Sequence, residues 1–403
     1  MAESDHESTV RPIPGVRLGT ACAGIKKADR RDLVVMEFIA GTQSAAVFTR
    51  NAFCAAPVIV AREHLQQTNP RYLLINTGNA NAGTGEPGLK DARACCKALA
   101  DQAGARPEEV LPFSTGVIGE PLPVATIVQA VPDAVQKLDE KGWKDASWGI
   151  LTTDTVPKLV SRQVTLGGKP VTVTGMAKGS GMIRPDMATM LAFIATDAGL
   201  DQALLQSLLQ EAVERSFNRI TVDGDTSTND ACLLAATGAS GVTVRSGSKE
   251  AIQLGEVIQV VCTELARAIV RDGEGATKLI NIHVKGGRND NECLAVAYTI
   301  AHSPLVKTAF FASDPNWGRL LAAVGRAGIE QLDVNRVSLW LDEVLLAEQG
   351  GRAASYTEEQ GQRVMAQPEI TVTVDLQRGD AEATVWTCDF SYDYVRINAE
   401  YRT

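Results

Sequence analysis

The segment Met176–Ala198, MAKGSGMIRPDMATMLAFIATDA, is where the residue types suggest covalent chemistry. Gly179 and Gly181 permit backbone angles closed to other residues, and Pro185 fixes a turn. A small residue, Ala188, then precedes Thr189, and an apolar run, Met190–Ala195, follows. On pattern alone the plainer reading is a loop entering a core strand, with Thr189 a β-former at its edge. The reactive reading has a defined course. A strained loop presents the Ala188 carbonyl to the Thr189 hydroxyl, the acyl group shifts from nitrogen to oxygen, and water hydrolyses the ester. The cut leaves Thr189 with a free α-amine, whose ordinary pKa is about 7.7–8.0. That amine is a general base for the hydroxyl on the same residue, so one residue supplies nucleophile and base.

Other constellations are weaker. The four histidines (His6, His64, His283, His302) are scattered and there is no G-x-S-x-G, so a Ser/His/Asp triad has no support. No C-x-x-C occurs among the eight cysteines, which argues against structural zinc. Gly83–Gly88 fits G-x-G-x-x-G, but Glu86 would set a carboxylate beside a pyrophosphate. No second strand ending in Asp or Glu follows about 20 residues on. A glycine-rich loop ahead of a helix is the better reading. Asp223–Asp230, DGDTSTND, resembles a calcium loop until its twelfth position, Leu234, where the bidentate glutamate is missing. It reads as a polar turn.

The elements that must position these residues come from patterning. Asp32–Ala40, Ser44–Thr49, Pro57–Arg62 and Tyr72–Asn76 are short apolar or β-branched runs, so the first third reads as β-rich. Leu89–Gly104 reads as helix. Asp201 is an N-cap candidate for a helix carrying Leu204, Leu205, Leu208, Leu209 and Val213. A second helix spans Lys249–Arg271, with Gly273 as C-cap. Val337–Leu346 and Glu369–Leu376 alternate as strands. Gln377–Asp380, containing Arg-Gly-Asp, reads as hairpin punctuation before a strand at Ala383–Asp389. Strands, then helices, then strands indicate layered α+β packing, and 403 residues suffice for two domains.

Lys and Arg number 39 against 48 Asp and Glu, a net charge of −9 without a basic stripe, which disfavours nucleic acid as a partner. Cysteines within apolar runs, such as Cys262, suit a reducing compartment. The N-terminal MAESDHESTVRPIPG has no apolar h-region, and no run approaches the roughly 20 apolar residues of a membrane span. The expectation is a cytoplasmic protein with no membrane partner.

AKGSGMIRPDMATML closely resembles the signature of the glutamate N-acetyltransferase (ornithine acetyltransferase) family. NTGNANAGTG, STGVIGEPLP, TTDT, DGDTSTND, DGEGATK, SPLVKTAFFASDPNWGR and the terminal INAEYRT are similar to its other blocks, in family order along nearly the whole chain. The resemblance implies a self-cleaving α/β fold: an N-terminal-nucleophile-like αββα catalytic domain over residues 1–283 and a smaller C-terminal α/β domain over 284–403. The cut would give chains 1–188 and 189–403, assembled as a heterotetramer of two such pairs.

The activity it implies is ping-pong acetyl transfer from N2-acetylornithine to glutamate through an acetyl ester on Thr189, releasing ornithine. No metal or cofactor is required, and acetyl-CoA stays open as a second acetyl donor. Thr115 and Gly116 would form the oxyanion hole. Thr152, Lys178, Thr189, Glu274, Asn398 and Thr403 would bind substrate, with Lys178 suited to a carboxylate, Glu274 to an ammonium group, and the C-terminal tail returning to the site. An aminopeptidase or amidase with the same self-made nucleophile and water as acceptor is the nearest alternative. A nicotinamide enzyme using Gly83–Gly88 and a non-catalytic amino-acid binder are the others.

Overall fold

In strand β2 (Leu33–Phe38) successive side chains enter different cores, which places layers on both faces of its sheet. The computed structural model describes residues 10–184 and 190–400. They divide into two compact units: 10–179, Arg184, 190–218 and Thr226–Ile269 form the first; Ser180–Ile183, Arg219–Asp225 and 270–400 form the second. Position 283 falls inside a strand of the second unit.

The first unit runs β1 (Val16–Ala21), β2, β3 (Gln43–Phe48), α1 (Ala56–Gln67), β4 (Tyr72–Asn79), α2 (Gly85–Ala103), β5 (Val110–Val117), α3 (Val124–Gln136), α4 (Trp143–Gly149), β6 (Lys158–Leu166), β7 (Lys169–Lys178), β8 (Leu191–Thr196), α5 (Gln202–Glu214), β9 (Ala231–Ala236) and α6 (Lys249–Arg271). One sheet has the order β1-β2-β4-β5 and the other β3-β9-β8-β7-β6. Val34, Met36, Phe38, Leu73, Ile75 and Phe113 of the first sheet share a core with Met176, Leu191, Phe193 and Leu233 of the second. Phe113 and Phe193 meet edge to face across it, ring centroids 5.1 Å apart.

Leu33, Val35 and Leu74 point the other way, against Cys96 and Leu99 of α2 and Ile127 and Val131 of α3. Behind the second sheet, a Cβ added to Gly175 of β7 would lie 3.1 Å from Leu265 and 3.2 Å from Val261 of α6. The order is therefore helix, sheet, sheet, helix: αββα. Because β8 and β9 are buried on both faces, they are continuous apolar runs rather than alternating ones.

The second unit continues with β10 (Leu279–Gly287), α7 (Asp290–Ala301), α8 (Pro304–Phe311), α9 (Trp317–Gly325), β11 (Ser338–Leu341), β12 (Val344–Glu348), β13 (Gly351–Arg352), α10 (Glu358–Met365), β14 (Glu369–Asp375), β15 (Ala381–Cys388) and α11 (Tyr392–Ala399). Its sheet has the order β13-β12-β11-β14-β10-β15. Ile280, Ile282 and Val284 of β10 pack with Val296 and Ile300 of α7 and Phe310 of α8.

Several expectations are corrected. Pro57–Arg62 lies in helix α1, not a strand: Pro57 sits in the first turn of the helix, where its missing N–H costs nothing, and Val58, Val60, Ala61 and His64 are buried at helical spacing. With α2 and α3, this makes the first third αβ rather than β-rich. Val337–Leu346 is a hairpin, broken where Asp342 takes φ +46°. Gln377–Asp380 turns the chain but joins no hairpin, because β14 and β15 flank β10 on opposite edges. The N–H groups of Arg378 and Gly379 both bond Gly286 O, carrying the link past the end of β10.

At the end of α6, Gly273 N bonds Val270 O, while the left-handed glycine is Gly275, φ +69°. The helices at 85–103, 202–214 and 249–271 fall where expected, and Asp201 Oδ1 caps Leu204 N at 2.8 Å. Among the described residues no helix is long and apolar enough to cross a membrane.

Candidate active site

In the first unit, β5 ends in Ser114-Thr115-Gly116-Val117. Gly116 has φ +137°, and a Cβ there would stand 2.3 Å from the Gly78 carbonyl carbon. Glycine is therefore required, and the β4–β5 register slips at this point. Buried amides pin the strand end. Ser114 Oγ donates to Asn76 Oδ1 (2.6 Å), and Asn229 Nδ2 donates to Ser114 O (2.9 Å) and Ala80 O (2.6 Å). Lys178, the last residue of β7, is buried and donates from Nζ to Thr115 Oγ1 at 3.2 Å.

Asp154 and Asp230 accompany this cation. Asp154, in the loop before β6, accepts from Lys158 Nζ (2.5 Å) and Gly179 N (2.7 Å) through Oδ1, and from Thr152 N (3.0 Å) through Oδ2. Both side chains of the Asp154–Lys158 pair are out of solvent. Burial opposes ionisation of Asp154, but the Lys178 and Lys158 cations and the bonds from Lys158 and Gly179 outweigh it and bring the carboxyl down to about 2. Asp230, just before β9, is also buried. Among the described residues its Oδ2 has no hydrogen-bond partner. Burial pushes its carboxyl well above the usual range despite bonds from Ser227 and the charge of Lys178. The two carboxyls are thus shifted in opposite directions, Asp154 down and Asp230 up. Thr152 is held from both sides of its peptide, its O accepting from Arg30 Nη1 at 3.1 Å.

In the second unit, Glu274 is buried in the loop after α6. Its N bonds Ser180 O (2.8 Å), and its Oε2 accepts from Asn398 Nδ2 (2.8 Å) on α11. A Cβ on Gly181 would lie 2.4 Å from the Glu274 carboxyl carbon, so glycine is needed for their approach. Helix α11 is tied down at its start by Ser391, whose Oγ donates to Gly275 O at 2.6 Å. Asp223 accepts from Met182 N (2.6 Å) and Ile183 N (2.9 Å), fixing the 180–183 strip with Met182 at φ +54°.

The structure thus brings Thr115, Gly116 and Lys178 together, joins Thr152 to them through Asp154, and separately pairs Glu274 with Asn398. Ala188, Thr189 and Thr403 lie outside the described residues. Reading the sequence passed over Asp154 and Asp230. The four-residue spacing of Asp154 to Lys158 was the available signal for the first; nothing local marks the second.

A sequence model of the ArgJ family matches residues 17–403. The chain belongs to the ArgJ family. A relative from Methylococcus capsulatus named arginine biosynthesis bifunctional protein ArgJ is 59% identical over 393 residues, covering 97% of this chain and 96% of the relative. One of the same name from Pseudomonas syringae pv. tomato is 56% identical over 396 residues, 98% of each chain. The crystal structure of the Bacillus halodurans protein of that name is similar at 38% identity and a TM-score of 0.50. It covers 51% of this chain but 97% of the crystallised one. ArgJ membership takes in every block that surrounds Lys178, Thr115 and Glu274.

Proposed function

We propose that this ArgJ-family chain moves the acetyl group of N2-acetyl-L-ornithine to L-glutamate, in arginine biosynthesis, through an ester on Thr189. The observation that carries the reading is the family match over residues 17–403, which includes the AKGSGMIRPDMATML segment.

Cleavage between Ala188 and Thr189 frees the α-amine. That amine takes the hydroxyl proton as Oγ attacks the acetyl carbon. The amide C–N bond breaks, ornithine leaves with the proton, and the acetyl group stays on Oγ. The amine of glutamate then attacks the ester, and Oγ regains its proton. Thr115 and Gly116 stabilise the oxyanion in both halves. Lys178 receives a substrate carboxylate, and Glu274 with Asn398 receives the distal ammonium group. Thr152 and Thr403 complete the binding set.

An amide is exchanged for an amide, so the reaction needs no cofactor. The word "bifunctional" in the relatives' name supports acetyl-CoA as a second donor. The crystallised Bacillus halodurans chain corresponds to about half of this one, a length that suits one product of a mid-chain cut. We assign the two products, 1–188 and 189–403, to a heterotetramer of two pairs in the cytoplasm, a compartment supported by eight free cysteines.

Intact-mass measurement of purified protein beside Thr189→Ala tests the reading. Two fragments are expected for the wild type, and one inactive full-length chain for the variant. A cleaved Thr189→Ala protein would overturn the nucleophile. Acetyl transfer to glutamate far outpacing release of free acetate distinguishes the transferase from an amidase.

A further inference from the structure

Buried ion pairs add little net stability, because desolvating two charges offsets their attraction, so the Asp154–Lys158 pair calls for another explanation. Its surroundings supply one. The Asp154 carboxylate reaches past Lys158 to the peptide N–H of Thr152 on one side and of Gly179 on the other. Gly179 directly follows Lys178, and Lys158 Nζ also donates to Gly179 O at 3.3 Å. Both polar groups of Gly179, which sits at φ +149°, are therefore held by the pair. The backbone on which Lys178 rides has little freedom left.

We infer that Asp154 is a positioning residue for substrate: with Lys158 it holds the N–H and the carbonyl of Gly179 and so aims the neighbouring Lys178 at an α-carboxylate. This rests on the reading that Lys178 receives that carboxylate. Without Asp154 the strand end would lose the bond at Gly179 N.

The test compares N2-acetylornithine with its α-carboxamide as acetyl donors. In a ping-pong reaction kcat/KM for the donor reports only the first half, so the carboxylates of glutamate do not interfere. Asp154→Asn alone removes the carboxylate paired with the buried Lys158 and risks misfolding. Asp154→Asn with Lys158→Met removes the pair while keeping the net charge, and thermal melting and fragment masses verify folding. Lys178→Met is the control.

The wild type is expected to prefer the acid strongly. The paired variant should lose about tenfold of that preference, expressed in KM for the acid, and Lys178→Met should lose it altogether. A purely structural role for Asp154 predicts that acid and amide fall together; an unchanged ratio in the paired variant, with the preference abolished in Lys178→Met, would sink the inference. If Lys178→Met itself keeps the preference, the assignment of Lys178 to the carboxylate fails instead.

Discussion

Lys178 Nζ donates to Thr115 Oγ1 across 3.2 Å, which leaves the threonine's own hydroxyl hydrogen free to turn toward another acceptor. A hydroxyl that already accepts from a cation is a better donor, and Thr115 ends a strand fixed by the Gly116–Gly78 approach. Thr115→Val keeps the shape and deletes the donor. It should lower kcat by about 10²-fold, the scale of losing one oxyanion donor, while Thr115→Ser should keep most of the rate. Steady-state kinetics on the cleaved protein decide it, and a Thr115→Val enzyme within threefold of wild type would remove the hydroxyl from the mechanism.

Asp230 makes a prediction of opposite sign to a carboxylate held ionised by neighbouring cations. Burial raises its pKa in the folded state, so the native protein holds a proton that the unfolded chain releases. Stability is full below the ordinary carboxylate pKa near 3.8 and is lost as pH rises from there toward the elevated folded value. Asp230→Asn removes that loss. Its melting temperature should match the wild type near pH 4 and exceed it increasingly toward pH 8. A difference that stays constant with pH would show that Asp230 is not the group responsible.

What was legible in the chain follows the same physics. The helix at 249–271 could be read because one face, with Ile258, Val261, Leu265 and Ile269, is buried. Val58 and Val60 misled because β-branched residues favour strands, while packing of α1 overrode that local preference. The Gln377–Asp380 turn was visible, but not the strand lying between its partners, since β10 comes some ninety residues earlier. Lys178 and Glu274 were named by family likeness. Asp154 and Asp230 were not, for a carboxylate's role depends on burial and neighbours that no local pattern encodes.

The C-terminal helix offers a direct check. Gly275 has φ +69°, and a Cβ there would stand 2.5 Å from Tyr394 N and 2.6 Å from Ser391 Oγ. Gly275→Ala should therefore push α11 from its seat and break the Asn398–Glu274 bond. Limited trypsin digestion should then cleave after Arg396 markedly faster, and transfer activity should fall at least tenfold. Unchanged proteolysis would mean that this turn does not hold the helix.

The last prediction concerns acid. Asp154 is the reverse of Asp230: its folded pKa, about 2, lies below the ordinary 3.8, so its contribution is complete above pH 4 and disappears as pH falls through 2. At 1.36 kcal/mol per unit, that depression corresponds to about 2 kcal/mol of pH-dependent stability. The Asp154→Asn/Lys158→Met variant has no such carboxyl. Between pH 4 and pH 2 the wild type should lose about 2 kcal/mol more than the variant, measured by urea unfolding at each pH. At neutral pH the two should lie closer together than the loss of a buried charge pair would suggest, because the variant also escapes the desolvation of both ions. Parallel acid curves for the two proteins would show that Lys158 and Lys178 do not hold Asp154 ionised.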